Sequence, residues 1–100
     1  MYKRQNQGQV VALIKPQFEA GKEQVGKKGI IRDPQTHENV LNNVLNIANE
    51  NGFRLLALDF SPITGGHGNI EFLGLFEKGE QQQSFDFKTI VEKTHHYFEK

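Results

Sequence analysis

One hundred residues suit one small domain, which buries roughly two-thirds of the surface its unfolded chain exposes. Apolar residues make up 36% and charged residues 24%, with 12 basic side chains against 12 acidic ones, a folded and globular composition rather than a disordered one. The chain has no cysteine, which excludes disulfide frameworks and thiolate metal sites, and no apolar run approaches a membrane span or the core of a signal peptide, so the expected compartment is the cytoplasm.

The first predicted element is a buried strand over Gln9–Lys15 (QVVALIK), a short Val- and Ile-rich run stopped by Pro16. From Gln17 to Arg32 the chain is polar and punctuated by Gly21, Gly26 and Gly29, which reads as a long loop of functional or mobile character. Asp33-Pro34 then announces a helix, because Asp accepts from the first free amides and Pro fits the first helical position. Val40, Leu41, Val44, Leu45, Ile47 and Ala48 form its apolar stripe, and Gly52 supplies the stop.

A second strand follows over Phe53–Phe60, then a turn-rich connection from Ser61 to Asn69, then a third strand over Ile70–Glu77. The last helix starts near Ser84 or Asp86 and places Phe87, Ile90, Val91, Thr94 and Tyr97 or Phe98 on one face. The order is strand, helix, strand, strand, helix. A strand–helix–strand unit makes a right-handed parallel crossover, and the next strand can return antiparallel beside it. The first strand begins so early that it lacks covering neighbours, as in a piece of a larger doubly wound sheet. Its edge, Val10–Ile14, is expected to pair with other chains and drive self-association unless Met1 to Gly8 folds over it.

Charge is unevenly spread. Residues 1–32 carry Lys3, Arg4, Lys15, Lys22, Lys27, Lys28 and Arg32 against Glu19 and Glu23, while the remainder is net acidic. A basic front suits a polyanion approaching one face, although ordinary solvated charge produces the same pattern. The histidines show no metal-binding spacing, and no metal is expected.

Three blocks resemble one family. Val11-Ala12-Leu13-Ile14-Lys15-Pro16-Gln17-Phe18-Glu19-Ala20-Gly21 is similar to the strand-and-loop block of FtsJ-like, hemolysin A-type RNA ribose 2'-O-methyltransferases. Gly29-Ile30-Ile31-Arg32-Asp33-Pro34, followed by His37, resembles that family's next helix start, and Ser61-Pro62-Ile63 with Gly68-Asn69-Ile70-Glu71-Phe72-Leu73 resembles its last hairpin. The resemblance implies an α/β fold, the C-terminal part of a Rossmann-like methyltransferase sheet. Residues 1–100 would be a single partial domain with a three-stranded mixed sheet whose last strand is antiparallel and central.

The same resemblance implies S-adenosylmethionine as cofactor of the intact parent enzyme. Its glycine-rich strand and acidic partner would lie upstream, and no such pattern precedes residue 9. Of the family's Lys-Asp-Lys-Glu tetrad, the second Lys matches Lys15 and the Glu matches Glu71, while the first Lys and the Asp have no counterpart. A lysine can take the ribose proton only when neutral; burial or a neighbouring ammonium favours that form and a carboxylate opposes it. Lys15 is therefore assigned as base or hydroxyl-orienting group, and Glu71 as the group that hydrogen-bonds and positions Lys15 or the ribose.

Lys22, Lys27, Lys28, Arg32 and Asn69 are the candidate contacts to RNA, ribosomal by family resemblance. The chain alone is expected to be inactive. The alternatives are a non-catalytic RNA-binding module and, with less support, a membrane-lysing hemolysin, for which a cationic amphipathic helix is missing.

Overall fold

The computed structural model describes residues 2–4, 9–19, 33–64, 68–81 and 84–98. In chain order these form β1 (Tyr2–Arg4), β2 (Gln9–Ile14), α1 (Pro16–Glu19), α2 (Pro34–Glu50), β3 (Phe53–Phe60), β4 (Phe72–Lys78) and α3 (Phe87–Phe98).

The sheet runs β1-β2-β4-β3. The last strand in sequence therefore sits between the two before it, as the family resemblance implies. Strand β4 is antiparallel to both neighbours, so β2 and β3 point the same way without touching. The sheet is mixed in direction, yet every hydrogen-bonded ladder in it is antiparallel.

Two elements depart from the sequence-based expectation. Strand β1 adds a fourth strand, pairing Tyr2, Lys3 and Arg4 with Ala12, Val11 and Val10. It satisfies backbone groups along the outer side of β2, so the expected open edge is closed by the chain itself over Val10–Ala12. This is the exception under which self-association through the edge is not expected. The second departure is α1, a single helical turn inside the stretch read as loop, begun by a Pro suited to the first helical position.

Helix α2 begins as its sequence dictates. Asp33 is extended and its side chain accepts from the Gln35 amide at 3.0 Å, with Pro34 as the first helical residue. Thr36 Oγ1 also donates to the Asp33 carboxylate at 3.3 Å. Replacing this cap by Asp33→Ala is expected to cost about 1 kcal/mol, read as a lower denaturation midpoint at constant slope. Gly52 ends the helix region with φ 81°, a left-handed conformation that favours glycine, and its carbonyl accepts from the Gly79 amide at 2.9 Å.

Asp86 caps α3, accepting from the Thr89 amide and hydroxyl, and these bonds hold its carboxyl below the usual range. Helix α3 therefore starts at Phe87, with Asp86 just outside it. Phe87, Val91 and Thr94 are buried, whereas Tyr97 is half exposed against Phe60.

Helices α2 and α3 pack on each other and on β3, covering one face of the sheet. Ile14, Leu55, Phe72 and Phe76 from the strands meet Val40 and Leu41 of α2 and Phe87 and Val91 of α3. Alternation decides which strand residues take part: Ile14, Phe72 and Phe60 lie opposite one another across three strands and all contribute to the core.

Strand β3 is an outer strand, and a bulge at Leu55–Ala57 shifts its register. The Gln81 amide bonds both the N–H and the carbonyl of Leu55, at 2.7 and 3.1 Å, and so caps part of that edge as a neighbouring strand would.

Candidate functional site

The geometry begins where the strand ladders stop. Ile14 is the last β2 residue paired with β4, opposite Phe72, and Phe72 also faces Phe60 on β3. One residue further along each strand come Lys15, Glu71 and Ser61. They form a row at the carboxyl ends of β2 and β3 and the amino end of β4. The Ser61 amide donates to the Glu71 carbonyl at 2.8 Å, which continues the β3–β4 register into this row. The carboxyl ends of like-directed strands are the usual ligand-facing edge of an α/β sheet.

Pro16, fully buried, turns the chain immediately after Lys15 into α1, and the Phe18 amide closes the turn on the Lys15 carbonyl at 2.9 Å. That turn brings Gln17 to Glu71. Gln17 Nε2 donates to Glu71 Oε2 at 3.0 Å, across a sequence separation of 54 residues. Glu71 is only 5% exposed, whereas Phe18 is 75% exposed and carries the Lys15 ammonium 5.7 Å from its ring centroid. Lys15 and Glu71 do not pair directly; the one ion pair between described residues joins Arg54 to Glu77 at 2.7 Å, far along the sheet.

Of the residues singled out from sequence, Lys15 and Glu71 are thus in one row. Asn69 lies two residues before Glu71 and is 2% exposed, an interior side chain with bonding partners of its own. Lys22, Lys27, Lys28 and Arg32 fall outside the described residues, as do Gly65, Gly66 and His67.

Gln17 escaped the sequence reading because nothing local distinguishes a loop glutamine from one bonded to a strand 54 residues away. Its place two residues after Lys15, at the turn out of a buried strand, was the available signal.

A second polar cluster lies within the helical layer. His37 on α2 is completely buried, and its Nδ1 sits 2.7 Å from Nε2 of His95 on α3. The His37 ring also meets Phe72 edge-on, with centroids 5.9 Å apart. Burial pushes the His37 imidazole down from 6.5 to about 4; charge on His95 acts the same way, and Asp33 opposes both. Among the described residues no group of three or more histidine or carboxylate side chains is arranged to hold a metal.

The grooves given by the described residues do not fit S-adenosylmethionine beside Lys15 and Glu71. Two grooves walled by described residues lie away from the Lys15–Glu71 row. One is bordered by Asn49, Gly52 and Gln81; the other, of about 380 Å³, lies between Val10, Ala12 and Phe76 of the sheet and Ile47 of α2. The first also has Glu50, Gly79 and Glu80 in its wall, but it lies at the Phe53–Lys78 end of the sheet, opposite the end that carries Lys15 and Glu71. No helix of the described residues is long and apolar enough to cross a membrane.

Comparison with known proteins agrees with this arrangement. Residues 2–78 match the FtsJ-like methyltransferase family. The Bacillus subtilis (strain 168) protein named "Putative rRNA methyltransferase YqxC" is 46% identical over 91 residues, covering 85% of this chain and 32% of that protein. The 16S/23S rRNA (cytidine-2'-O)-methyltransferase TlyA of Mycobacterium tuberculosis (strain ATCC 25618 / H37Rv) is 34% identical over 86 residues, covering 86% and 32%. A solved structure described as "Putative hemolysin from Streptococcus thermophilus" superposes with a TM-score of 0.87 at 52% identity, covering 92% of this chain and 34% of that one. The chain therefore spans about a third of the length of the relatives it matches. From the central antiparallel β4 to the matched residues on both sides of it, this chain belongs to the FtsJ-like methyltransferase family.

Proposed function

We propose that this chain is the substrate-facing part of an S-adenosylmethionine-dependent RNA ribose 2'-O-methyltransferase acting on ribosomal RNA, inactive on its own. Residues 1–100 form one partial domain, and the methyl donor is held by parts of the fold outside it. The observation that carries the reading is the Lys15–Glu71 row at the carboxyl ends of β2 and β3. The name of the Mycobacterium tuberculosis relative, a cytidine-2'-O-methyltransferase of 16S/23S rRNA, supports the substrate class. An rRNA substrate implies a cytoplasmic protein.

In this reading Lys15 Nζ meets the ribose 2'-hydroxyl and holds or accepts its proton while the oxygen is alkylated. Glu71, buried and anchored by Gln17, fixes the position of that encounter. Lys22, Lys27, Lys28 and Arg32 supply positive charge to the RNA backbone.

An amide-resolved NMR titration with a short ribosomal RNA hairpin, then with S-adenosylmethionine, tests this. RNA is expected to shift resonances around Lys15, Gln17 and Glu71. Lys15→Met is expected to weaken binding about tenfold, the loss of one charged hydrogen bond of roughly 1.4 kcal/mol. Silence with RNA would remove the RNA-facing reading. Saturable shifts with the cofactor alone would overturn the view that the donor site lies outside this chain.

A further inference from the structure

The side chains at the row pose a specific problem. A carboxylate directly paired with a lysine favours the ammonium, the form unable to take a proton. Lys15 follows Ile14 and Glu71 precedes Phe72, and Ile14 and Phe72 are directly opposite in an antiparallel ladder, a spacing at which two such side chains ordinarily meet. They do not pair; Glu71 is bonded to Gln17 and the Lys15 ammonium lies over Phe18.

The orientation of the Gln17 amide follows from its partner. An ionised carboxylate only accepts, so the amide must present its NH2 to Glu71, and its oxygen is turned elsewhere. That oxygen is buried and has no hydrogen-bond partner. A buried acceptor left unmet is costly, and the Lys15 ammonium, two residues earlier in the chain, is a donor suited to meet it.

We propose that Gln17 is a positioning residue, a neutral spacer between Lys15 and Glu71. Its NH2 occupies the Glu71 carboxylate, and its amide oxygen accepts from Lys15 Nζ when the lysine leaves the Phe18 ring to engage substrate. An amide can orient the amine through a hydrogen bond without adding the negative charge that would hold it protonated. The functional value of the spacer rests on the reading of Lys15 as the hydroxyl-facing group, but its chemistry is measurable without RNA or cofactor.

The test is the rate at which acetic anhydride acylates Lys15 at fixed pH in the intact chain, followed by peptide mass spectrometry with exposed Lys88 as internal reference. Only the neutral amine reacts. Gln17→Leu is expected to let Glu71 pair with Lys15 and slow its acylation roughly fivefold, the upper range for a partly exposed ion pair. Adding Glu71→Gln to Gln17→Leu should restore the rate to within about twofold, since the charge responsible is gone. Should the leucine variant fail to fold, Gln17→Glu keeps the side chain's shape and is expected to slow acylation as well.

An unchanged rate in folded Gln17→Leu or Gln17→Glu would overturn the proposal. So would a slow Gln17→Leu rate that Glu71→Gln leaves slow, because the effect would then be structural. Because the readout needs no RNA, a chain that fails to bind RNA but shows this pattern would lose the proposed function and keep the spacer.

Discussion

Phe72→Ala is expected to destabilise the chain by about 3 to 5 kcal/mol, enough to unfold much of a domain whose whole stability is roughly 5 to 15 kcal/mol. Phe72 is completely buried on the central strand, opposite Ile14 on one side and Phe60 on the other, with the His37 ring meeting it edge-on. Truncation removes apolar burial from three strands and one helix at once, and close packing leaves little room for collapse into the void. Urea denaturation should show the loss as a lower midpoint with an unchanged slope. Leu73, the next residue on β4, points the other way and is 39% exposed, so Leu73→Ala should cost only about 1 kcal/mol or less. Equal losses at the two positions would mean that the helix-covered face is not the core. Since Phe72 directly follows Glu71, the same packing that stabilises the chain also locates the carboxylate.

Stability is expected to fall as pH is lowered from about 6.5 towards 4, with His37 a principal cause. In the folded chain His37 resists protonation down to about 4, whereas its ordinary value is 6.5. Between those values the unfolded chain binds a proton that the folded chain refuses, so acid favours unfolding. The contribution is fully present above 6.5 and diminishes through the window, to a loss of roughly 2 to 3 kcal/mol near pH 4. The groups facing His37 are His95 from α3, the Phe72 ring from β4 and, at the start of its own helix, Asp33. His95 adds repulsion once both rings are charged, and Asp33 offsets part of it.

Glu77, held low by Arg54, and Asp86, held low by Thr89, also weaken the fold in acid, and at lower pH than His37. The informative comparison is therefore with His37→Gln under the same conditions. The variant should lose about 2 kcal/mol less than the parent between pH 7.5 and pH 4.5 in urea denaturation. An identical pH slope in both proteins would show that the His37–His95 contact does not titrate with folding.

Much of the architecture was written in short stretches of sequence. Phe53–Phe60 was bounded as a strand, Asp33-Pro34 as a helix start, Gly52 as a stop and Ser84 or Asp86 as the approach to α3, because each depends on chain neighbours alone. The central place of β4 came from family resemblance, since local pattern cannot rank strands across a sheet. Lys15 and Glu71 were singled out in the same way, and their roles remain proposals.

Tertiary structure decided the rest. Strand β1 carries too little periodicity to be seen in three residues, yet β2 offers it a row of backbone partners. Gln17 meets Glu71 across 54 residues, and His37 meets His95 across 58. A local reading could class each of these only as a polar side chain on a loop or a helix. Which polar side chain acquires a buried partner is determined when separate elements pack, because burial and hydrogen bonding depend on what arrives from distant parts of the chain. Chain neighbours set most of the elements and the apolar face that joins them; β1, α1 and the pairing of polar groups followed from packing, because they depend on partners that distant segments supply.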